Sequence, residues 1–211
     1  MIRLLFLIHR YLGIALGMVI TIWCLSGFVM MYVQYPDLTA EERLAGLQPL
    51  ALEGCCQVPD DFSDITLDRF RIEMLEGRPV LRLLDGRYQY VIDLANGEYL
   101  GSFFENEAEA IAAIAAKGFR LEGQPELVGA IEQDQWTVYP AYQAHRPLYH
   151  FAMNDSQRTE FYVSSTTGEI VQMTTAETRF WNWIGAVPHW LYPTVLRQHT
   201  YAWLQTVIWL T

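Results

Sequence analysis

Histidines at the ends of apolar segments have the clearest potential for chemistry in this sequence. His9 and Arg10 stand at the start of an apolar run, and Gly13 and Gly17 follow His9 at i+4 and i+8 on one helical face. Either ring nitrogen of a histidine can ligate a metal, so His9 is a candidate metal ligand. One alternative is an interfacial His9 that reaches with Arg10 toward lipid headgroups. Another is a Gly-x-x-x-Gly face that lets two helices approach closely without a cofactor.

The other histidines form two pairs. His189 lies in an aromatic stretch before a second apolar segment, and His199 stands at the start of that segment. Aromatic residues of the kind that collect at membrane surfaces are frequent here: Trp181, Trp183, Trp190, Tyr192, Tyr201 and Trp203. No Cys, Asp or Glu is spaced near His145 and His150 as in recognised metal sites. We expect surface or strand positions for these two histidines.

The first apolar segment predicts a membrane span. No charged residue occurs between Tyr11 and Pro36, and about 20 apolar residues suffice to cross a hydrocarbon core. The span must be helical because lipid offers no hydrogen-bond partners to the backbone. Arg3 and Arg10 precede it and acidic residues follow it, which predicts a cytoplasmic N-terminus. A cleaved signal is the alternative, but the apolar run is long for one and no A-x-A-like site follows.

Composition and cysteines narrow the function classes. The chain has 24 acidic and 14 basic residues and a net charge of -10, so it has no basic surface for nucleic acid. Cys24 is expected to be an inert apolar filler within the span. The neighbours Cys55 and Cys56 are compatible with free thiols or with a vicinal disulfide. No hydrolase, metalloprotease, P-loop or dinucleotide-binding motif occurs.

The central region alternates between helical and strand patterns. A short helix is predicted from Thr39 to Leu47, and a longer one from Glu105 to Lys117 with Gly118 as its C-terminal cap. The longer helix should present one apolar face: Ala108, Ile111, Ala112 and Ala115. Alternation predicts strands at 69–74, 80–84, 88–93, 136–139, 147–152 and 160–164, and the stretch closes at 166–171 with a polar turn and a short strand. Turns are predicted at 77–79, at 85–86 and at 95–98. The acidic residues at 122, 126, 132 and 134 are interpreted as a solvated face.

One segment of the sequence is repeated. Tyr88 to Leu100 aligns without a gap with Thr159 to Val171, including a shared Gly-Glu in the turn. Gly97 and Gly168 are expected to hold a positive φ there. Two copies indicate a duplicated α+β module with antiparallel strands, although no helix leading the first copy is evident.

These residues carry a family resemblance. The hairpin that ends D-x-x-x-G-E-x-L, preceded in the second copy by an alanine-rich helix, resembles the PepSY module. Together with the His-Arg-Tyr-Leu-Gly sequence of the first span and the stretch from Trp181 to Tyr192, it resembles the PepSY-associated transmembrane family. Ser164 stands where that family usually has aspartate.

The resemblance implies a bacterial inner (cytoplasmic) membrane protein with its main domain in the periplasm. Characterised members resemble haem b reductases that act on ferric siderophores. His9 and His199 then become axial ligands of haem iron, with His189 also near a cofactor and Gly13 and Gly17 leaving room for a flat porphyrin. The alternative function is a non-enzymatic, membrane-anchored module that binds or regulates a protein or peptide partner.

His9 is expected at the inner membrane face and His189 and His199 at the outer one, about 30 Å apart. They cannot share one iron, so each needs an axial partner from further transmembrane helices of the full-length protein or from another subunit. The second apolar segment has only about half of the residues that a crossing needs. We therefore expect a chain that is truncated within its second span.

The predicted fold class is an α+β membrane protein with a transmembrane helix, a periplasmic domain of two PepSY-like repeats and the start of a second span. The predicted domains are the cytoplasmic N-terminus and transmembrane helix 1 at 1–36, a connector at 37–64, the first repeat at 65–104, the second at 105–175, an aromatic interfacial segment at 176–195, and the start of transmembrane helix 2 at 196–211.

Overall fold

The computed structural model describes residues 2–59, 68–85 and 88–210. The chain divides into two compact units. The first unit comprises residues up to Pro36 and from Glu177 onward, and the second runs from Asp37 to Ala176. The fold is α+β, with one long apolar N-terminal helix and two antiparallel sheets.

The first unit is helical. Helix α1 (Ile2–Met30) is, among the described residues, the one helix long and apolar enough to cross a membrane. Its side chains are exposed along most of its length, and Ser26 is its buried residue. Four shorter helices complete the unit: α4 (Ala176–Ile184, which begins one residue earlier), α5 (Ala186–His189), α6 (Thr194–Arg197) and α7 (Thr200–Leu210).

Close contacts join α1 to the C-terminal helices. A Cβ on Gly185 would lie 3.0 Å from Cγ1 of Val29, so this glycine permits the corner between α4 and α5 to approach α1. The amide of buried Asn182 donates to the carbonyl of Gln34 at 3.0 Å. The end of α1 is therefore packed, whereas its N-terminal part is exposed.

The second unit begins with α2 (Ala40–Gly46) and a three-stranded sheet. Thr39 caps α2 in a capping box with Glu42. The antiparallel strands β1 (Arg69–Leu75), β2 (Arg78–Asp85) and β3 (Tyr88–Asp93) lie in the order β1-β2-β3. These elements confirm the predicted short helix and three strands. The turn predicted at 77–79 is too long, because Pro79 already pairs with Met74 in the sheet. Gly86, which belongs to the turn predicted at 85–86, lies outside the described residues.

A second sheet follows α3 (Glu105–Gly118). Its antiparallel strands lie in sequence order: β4 (Glu126–Ile131), β5 (Leu148–Ala152), β6 (Glu160–Ser164) and β7 (Ile170–Thr174). The predicted strands at 147–152 and 160–164 are confirmed. Strand β7 begins directly after the predicted turn and continues to Thr174, beyond the predicted end at Val171.

One prediction between α3 and β5 is wrong. Residues 136–139 form no strand, because Oδ1 of Asp134 accepts hydrogen bonds from the backbone N–H groups of Trp136 and Thr137 and bends the chain. Glu126 begins β4, a strand that was not predicted, and its side chain is exposed, as expected of a solvated face. A 3-10 helix (Pro140–His145) lies between these segments.

Helix α3 packs on the second sheet as its pattern indicates. Its four predicted core residues, Ala108, Ile111, Ala112 and Ala115, are all buried. Apolar side chains of β1, β2 and β3 join the same core as α3, β5 and β6. The predicted cap is wrong: Gly118 is the last helical residue, and the positive φ falls on Arg120. A Cβ on Gly118 would lie 2.8 Å from the carbonyl oxygen of Ala45, so this glycine lets α2 and α3 approach.

The repeated hairpin has the same backbone geometry in both copies. The N–H of Asp93 donates to the carbonyl of Glu98 at 2.9 Å, and that of Ser164 donates to the carbonyl of Glu169 at 2.8 Å. Gly97 and Gly168 have φ values of 76° and 65°, as predicted. The second strand of the first copy is reduced to a single bridge between Ile92 and Tyr99. Helix α2, the predicted short helix, precedes the first sheet, although the sequence did not indicate it as the helix that leads the first copy.

Candidate functional site

The predicted histidines of the first unit occupy three different places. His9 is an exposed residue of α1, His189 ends α5, and His199 is exposed directly before α7. His189 contacts α1 near Gly27, which lies 18 residues beyond His9 in the sequence. At 1.5 Å per residue that interval is about 27 Å. His9 and His189 therefore lie too far apart to share one iron.

His189 is held firmly against α1. Its Nδ1 lies 3.0 Å from the carbonyl oxygen of Trp23 and 3.3 Å from Oγ of Ser26. Its ring stacks on the indole of Trp23, with centroids 4.9 Å apart and an interplanar angle of 7°. A Cβ on Gly27 would lie 2.7 Å from Cε1 of His189, so only glycine leaves room for the ring.

These contacts select one tautomer of His189. A backbone carbonyl can only accept a hydrogen bond, so Nδ1 must carry the hydrogen. Ser26 donates its own hydroxyl hydrogen to the same carbonyl at 2.9 Å, which leaves its oxygen free to accept. The lone pair of neutral His189 therefore lies on Nε2. This arrangement, with Nδ1–H bound to a carbonyl, is the one that orients histidine ligands in metal sites.

The glycine face of α1 is open within the described residues. A Cβ placed on Gly13 or Gly17 would meet no atom within 4 Å. Thr21 donates its hydroxyl hydrogen to the carbonyl of Gly17 at 2.7 Å, which satisfies the polar group without another helix. The face is thus available to a flat cofactor or to another helix, the two alternatives that the sequence left open.

The histidines of the first unit fit haem in one respect. No group of three or more His, Cys, Asp or Glu residues that could hold a metal ion occurs in the part of the chain that the structure describes. Haem b is held by one or two axial imidazoles and needs no such cluster. His189, with an oriented ring and a free Nε2, fits one axial position. The side chains of His9 and His199 are exposed and available to ligands supplied by other helices.

A buried cluster of charges in the second unit was not predicted from the sequence. Glu169 accepts hydrogen bonds from Arg43 and, at 2.5 Å, from Arg71. Glu73 accepts from Arg82 and, at 3.3 Å, from Arg43. Arg82, Glu73 and Glu169 are each less than a tenth exposed. This charge cluster, defined as these five residues, joins the first sheet to the turn before β7.

The secondary structure explains why these residues meet. Arg71 and Glu73 are two residues apart on β1 and so share one face of the sheet. Arg82 on β2 lies directly opposite Arg71 in the antiparallel register. Arg43 comes from the last turn of α2. The fifth member, Glu169, belongs to the Gly-Glu pair of the repeated turn, and that repetition was the available sequence signal.

The guanidinium groups control the ionisation of Glu169. Burial alone would raise its pKa, but Arg82, Arg43 and Arg71 together lower the pKa to about 2. Glu169 is therefore a carboxylate at neutral pH. Because a buried charge is costly unless it is paired, the cluster depends on all of its members.

His145 borders the charge cluster and corrects a prediction. It is buried in the 3-10 helix and lies neither on a strand nor at the surface. Its Nδ1 lies 3.1 Å from Oγ of Ser164 and 3.3 Å from Oγ1 of Thr167. Burial lowers the pKa of His145, and Glu169 opposes this effect only in part. His150 lies on β5, as predicted, and stacks on Tyr162.

A cleft of about 300 Å³ opens beside the charge cluster. Four arginines line it, together with two carboxylates: Arg43, Arg69, Arg71, Arg82, Asp37 and Glu169. Neutral polar and aromatic side chains complete the lining, among them Gln89, Tyr90, Tyr142 and His145. Its polar walls distinguish it from a smaller cavity of about 50 Å³ near α2 and α3, which is mainly apolar.

The cysteines contribute no metal site. Cys55 and Cys56 are joined by a disulfide, which resolves the choice between free thiols and a vicinal disulfide. Cys24 is a free thiol on the exposed surface of α1.

Comparison of this chain with protein-family models, with curated proteins and with solved structures gives no match. The resemblance to the PepSY-associated transmembrane family therefore rests on the residues quoted for it.

Proposed function

We propose that this chain is part of a PepSY-type protein of the bacterial inner membrane that uses haem b to move electrons to a ferric siderophore in the periplasm. The observation that supports this proposal is the geometry of His189. Its Nδ1 contacts the carbonyl of Trp23, and its Nε2 carries the lone pair that an axial ligand needs. Bound haem supplies one-electron chemistry.

The residues of the chain would have separate roles. His189 or His199 would hold iron near one end of α1, and His9 would hold iron near the other, because the interval along the helix prevents sharing. The open face at Gly13 and Gly17 would admit the flat macrocycle. Further transmembrane helices or another subunit would supply the remaining axial ligands.

A reduced-minus-oxidised optical spectrum of the full-length protein, purified from membranes in detergent, tests this proposal. We expect a haem b absorbance that weakens in His9→Ala, His189→Ala and His199→Ala. His150→Ala is the matched control, because His150 lies on β5 in the second unit. A wild-type protein with no haem absorbance overturns the proposal, and so does an absorbance that all three variants retain.

The cleft of the second unit favours a second candidate function. A membrane-anchored PepSY module that binds a partner needs no haem, and a polar, arginine-lined cleft is a reasonable place for recognition. The two candidates differ in the spectrum. Absence of haem together with specific capture of a ligand by the second unit would favour the binding module.

A further inference from the structure

We propose that the arginine-lined cleft of the second unit binds a small organic oxyanion, a molecule that carries carboxylate or phosphate groups. The proposal does not depend on haem, and it goes beyond the function proposed above.

The charges of the cleft favour an anion. Its lining has four arginines against Asp37 and Glu169. Counting Glu73 as well, because it pairs with Arg43 and Arg82, the excess is one positive charge, whereas the whole chain has a net charge of -10. His145, which also lines the cleft, is neutral at physiological pH because burial lowers its pKa. A positive cleft in an acidic protein concentrates small anions that the rest of the surface repels.

The guanidinium groups retain donors for a ligand. A guanidinium has five N–H donors in a planar fork. The described hydrogen bonds of Arg43 and Arg71 to carboxylates all use Nη2, so Nε and Nη1 of both side chains remain for other acceptors. The side chain of Arg71 is 40% exposed, which gives a ligand access to it. Both guanidinium groups donate to Oε1 of Glu169, so they are placed to bind carboxylate oxygens.

The other walls suit an organic molecule. Tyr90 and Phe70 provide aromatic surface, and Gln89 lies with its Nε2 3.4 Å from Nε2 of His145. Tyr142 keeps its hydroxyl hydrogen because burial, Asp37 and Asp134 all raise its pKa. A volume of about 300 Å³ is at the lower end of the range for small-molecule sites. The cleft therefore matches a small molecule with several oxygen acceptors.

Isothermal titration of the full chain in detergent with citrate and with inorganic phosphate tests the proposal, and the two probes distinguish carboxylate from phosphate recognition. Arg71→Gln removes charge-assisted hydrogen bonds, which are the stronger class, so it is expected to weaken binding by roughly tenfold or more. Arg69→Gln is expected to weaken it less. Because Arg71→Gln also removes a partner of Glu169, circular dichroism must show that the variant is folded; Arg69→Gln is the second variant if it is not.

The matched control is Arg120→Gln. Arg120 is exposed beyond the end of α3, does not line the cleft, and loses the same single charge. Binding of at least one probe that weakens in the cleft variants but not in the control supports the site. No binding of either probe up to about 10 mM, or equal weakening in Arg120→Gln, overturns it. The haem spectrum is independent of both outcomes, so failure here leaves the proposed electron transfer to its own test.

Discussion

The two copies of the repeated hairpin share a backbone but differ in the surroundings of their glutamates. Glu98 in the first copy is exposed and contacts Asn96 within its own turn. Glu169 in the second copy is buried and contacts Arg43 and Arg71 from distant parts of the chain. The turn hydrogen bonds are the same in both copies. Local sequence thus determines the turn, while tertiary partners determine whether its carboxylate is part of a charge cluster.

The residue that opens each turn has diverged as well. Asp93 accepts a hydrogen bond from the N–H of Ala95 in the first copy. Its counterpart Ser164 accepts from backbone N–H groups of its turn and also contacts His145. The turn of the second copy therefore borders the cleft through Glu169, whereas the first copy contributes Gln89 and Tyr90 from its strand. The two turns are similar in backbone but differ in what their side chains contact.

Separate replacement of the two glutamates is expected to give the largest difference in stability between the copies. Glu169→Gln leaves Arg71 without a carboxylate and Arg43 with Glu73 alone, and removing one partner of a buried ion pair costs about 3 kcal/mol. Glu98→Gln alters an exposed side chain and should change the free energy of unfolding by less than about 0.5 kcal/mol. Urea unfolding of the full-length variants in detergent measures both values. Equal losses would mean that the cluster adds no stability.

Separate replacement of Gly97 and Gly168 by alanine should give a somewhat smaller difference in stability between the copies. Both have a positive φ, so alanine is strained at either position by about 1 kcal/mol. A Cβ on Gly168 would also lie 2.8 Å from Cε1 of Phe103, whereas a Cβ on Gly97 would lie no closer than 3.5 Å to Gln57. Overpacking adds about 1 kcal/mol or more. Gly168→Ala should therefore unfold at a lower midpoint temperature than Gly97→Ala in thermal unfolding. The reverse order would mean that the more crowded turn is the one in the first copy.

Acid is expected to destabilise the protein through the second copy and not through the first. The pKa of Glu169 is held at about 2, below its ordinary value of 4.5. Its stabilising contribution is complete above the unfolded pKa and is lost as pH falls toward 2. Between pH 4.5 and pH 3 this loss is up to about 2 kcal/mol. Glu169→Gln should flatten the fall in stability across this interval, and Glu98→Gln should not. Identical profiles for the two variants would show that other groups cause the acid sensitivity.

Much of the fold was predictable where the signal is local. Alternation within β1, β2 and β3 located the first sheet, and the alanine-rich face located α3. The shared Gly-Glu predicted positive φ at Gly97 and Gly168. In each case the deciding interactions lie within a few residues of one another.

The features that sequence did not predict depend mainly on partners that are distant in the sequence. Strand β4 carries glutamate and glycine, which disfavour strands, and it forms because β5 pairs with it. Trp136 has a strand-like sequence context, yet a side-chain oxygen of Asp134 bends the backbone there. The charge cluster joins Arg43 to Glu169, which are 126 residues apart, so no local pattern indicates their contact.

The candidate haem ligands show the same limit. Sequence indicated His9, His189 and His199 by their positions next to apolar segments, and the family resemblance assigned the axial positions to His9 and His199, with His189 only near the cofactor. The structure distinguishes His189, because Trp23, Ser26 and Gly27 surround its ring and fix its tautomer. Sequence spacing identifies candidate ligands, and the contacts around a histidine ring show which candidate is oriented for ligation.

The ratio of haem b to protein in purified full-length chains is the most direct measurement of whether His189 holds iron. His189→Ala should lower this ratio relative to wild type, while His150→Ala, which changes a histidine on β5, should leave it unchanged. A ratio that His189→Ala does not lower would contradict ligation through Nε2 of His189.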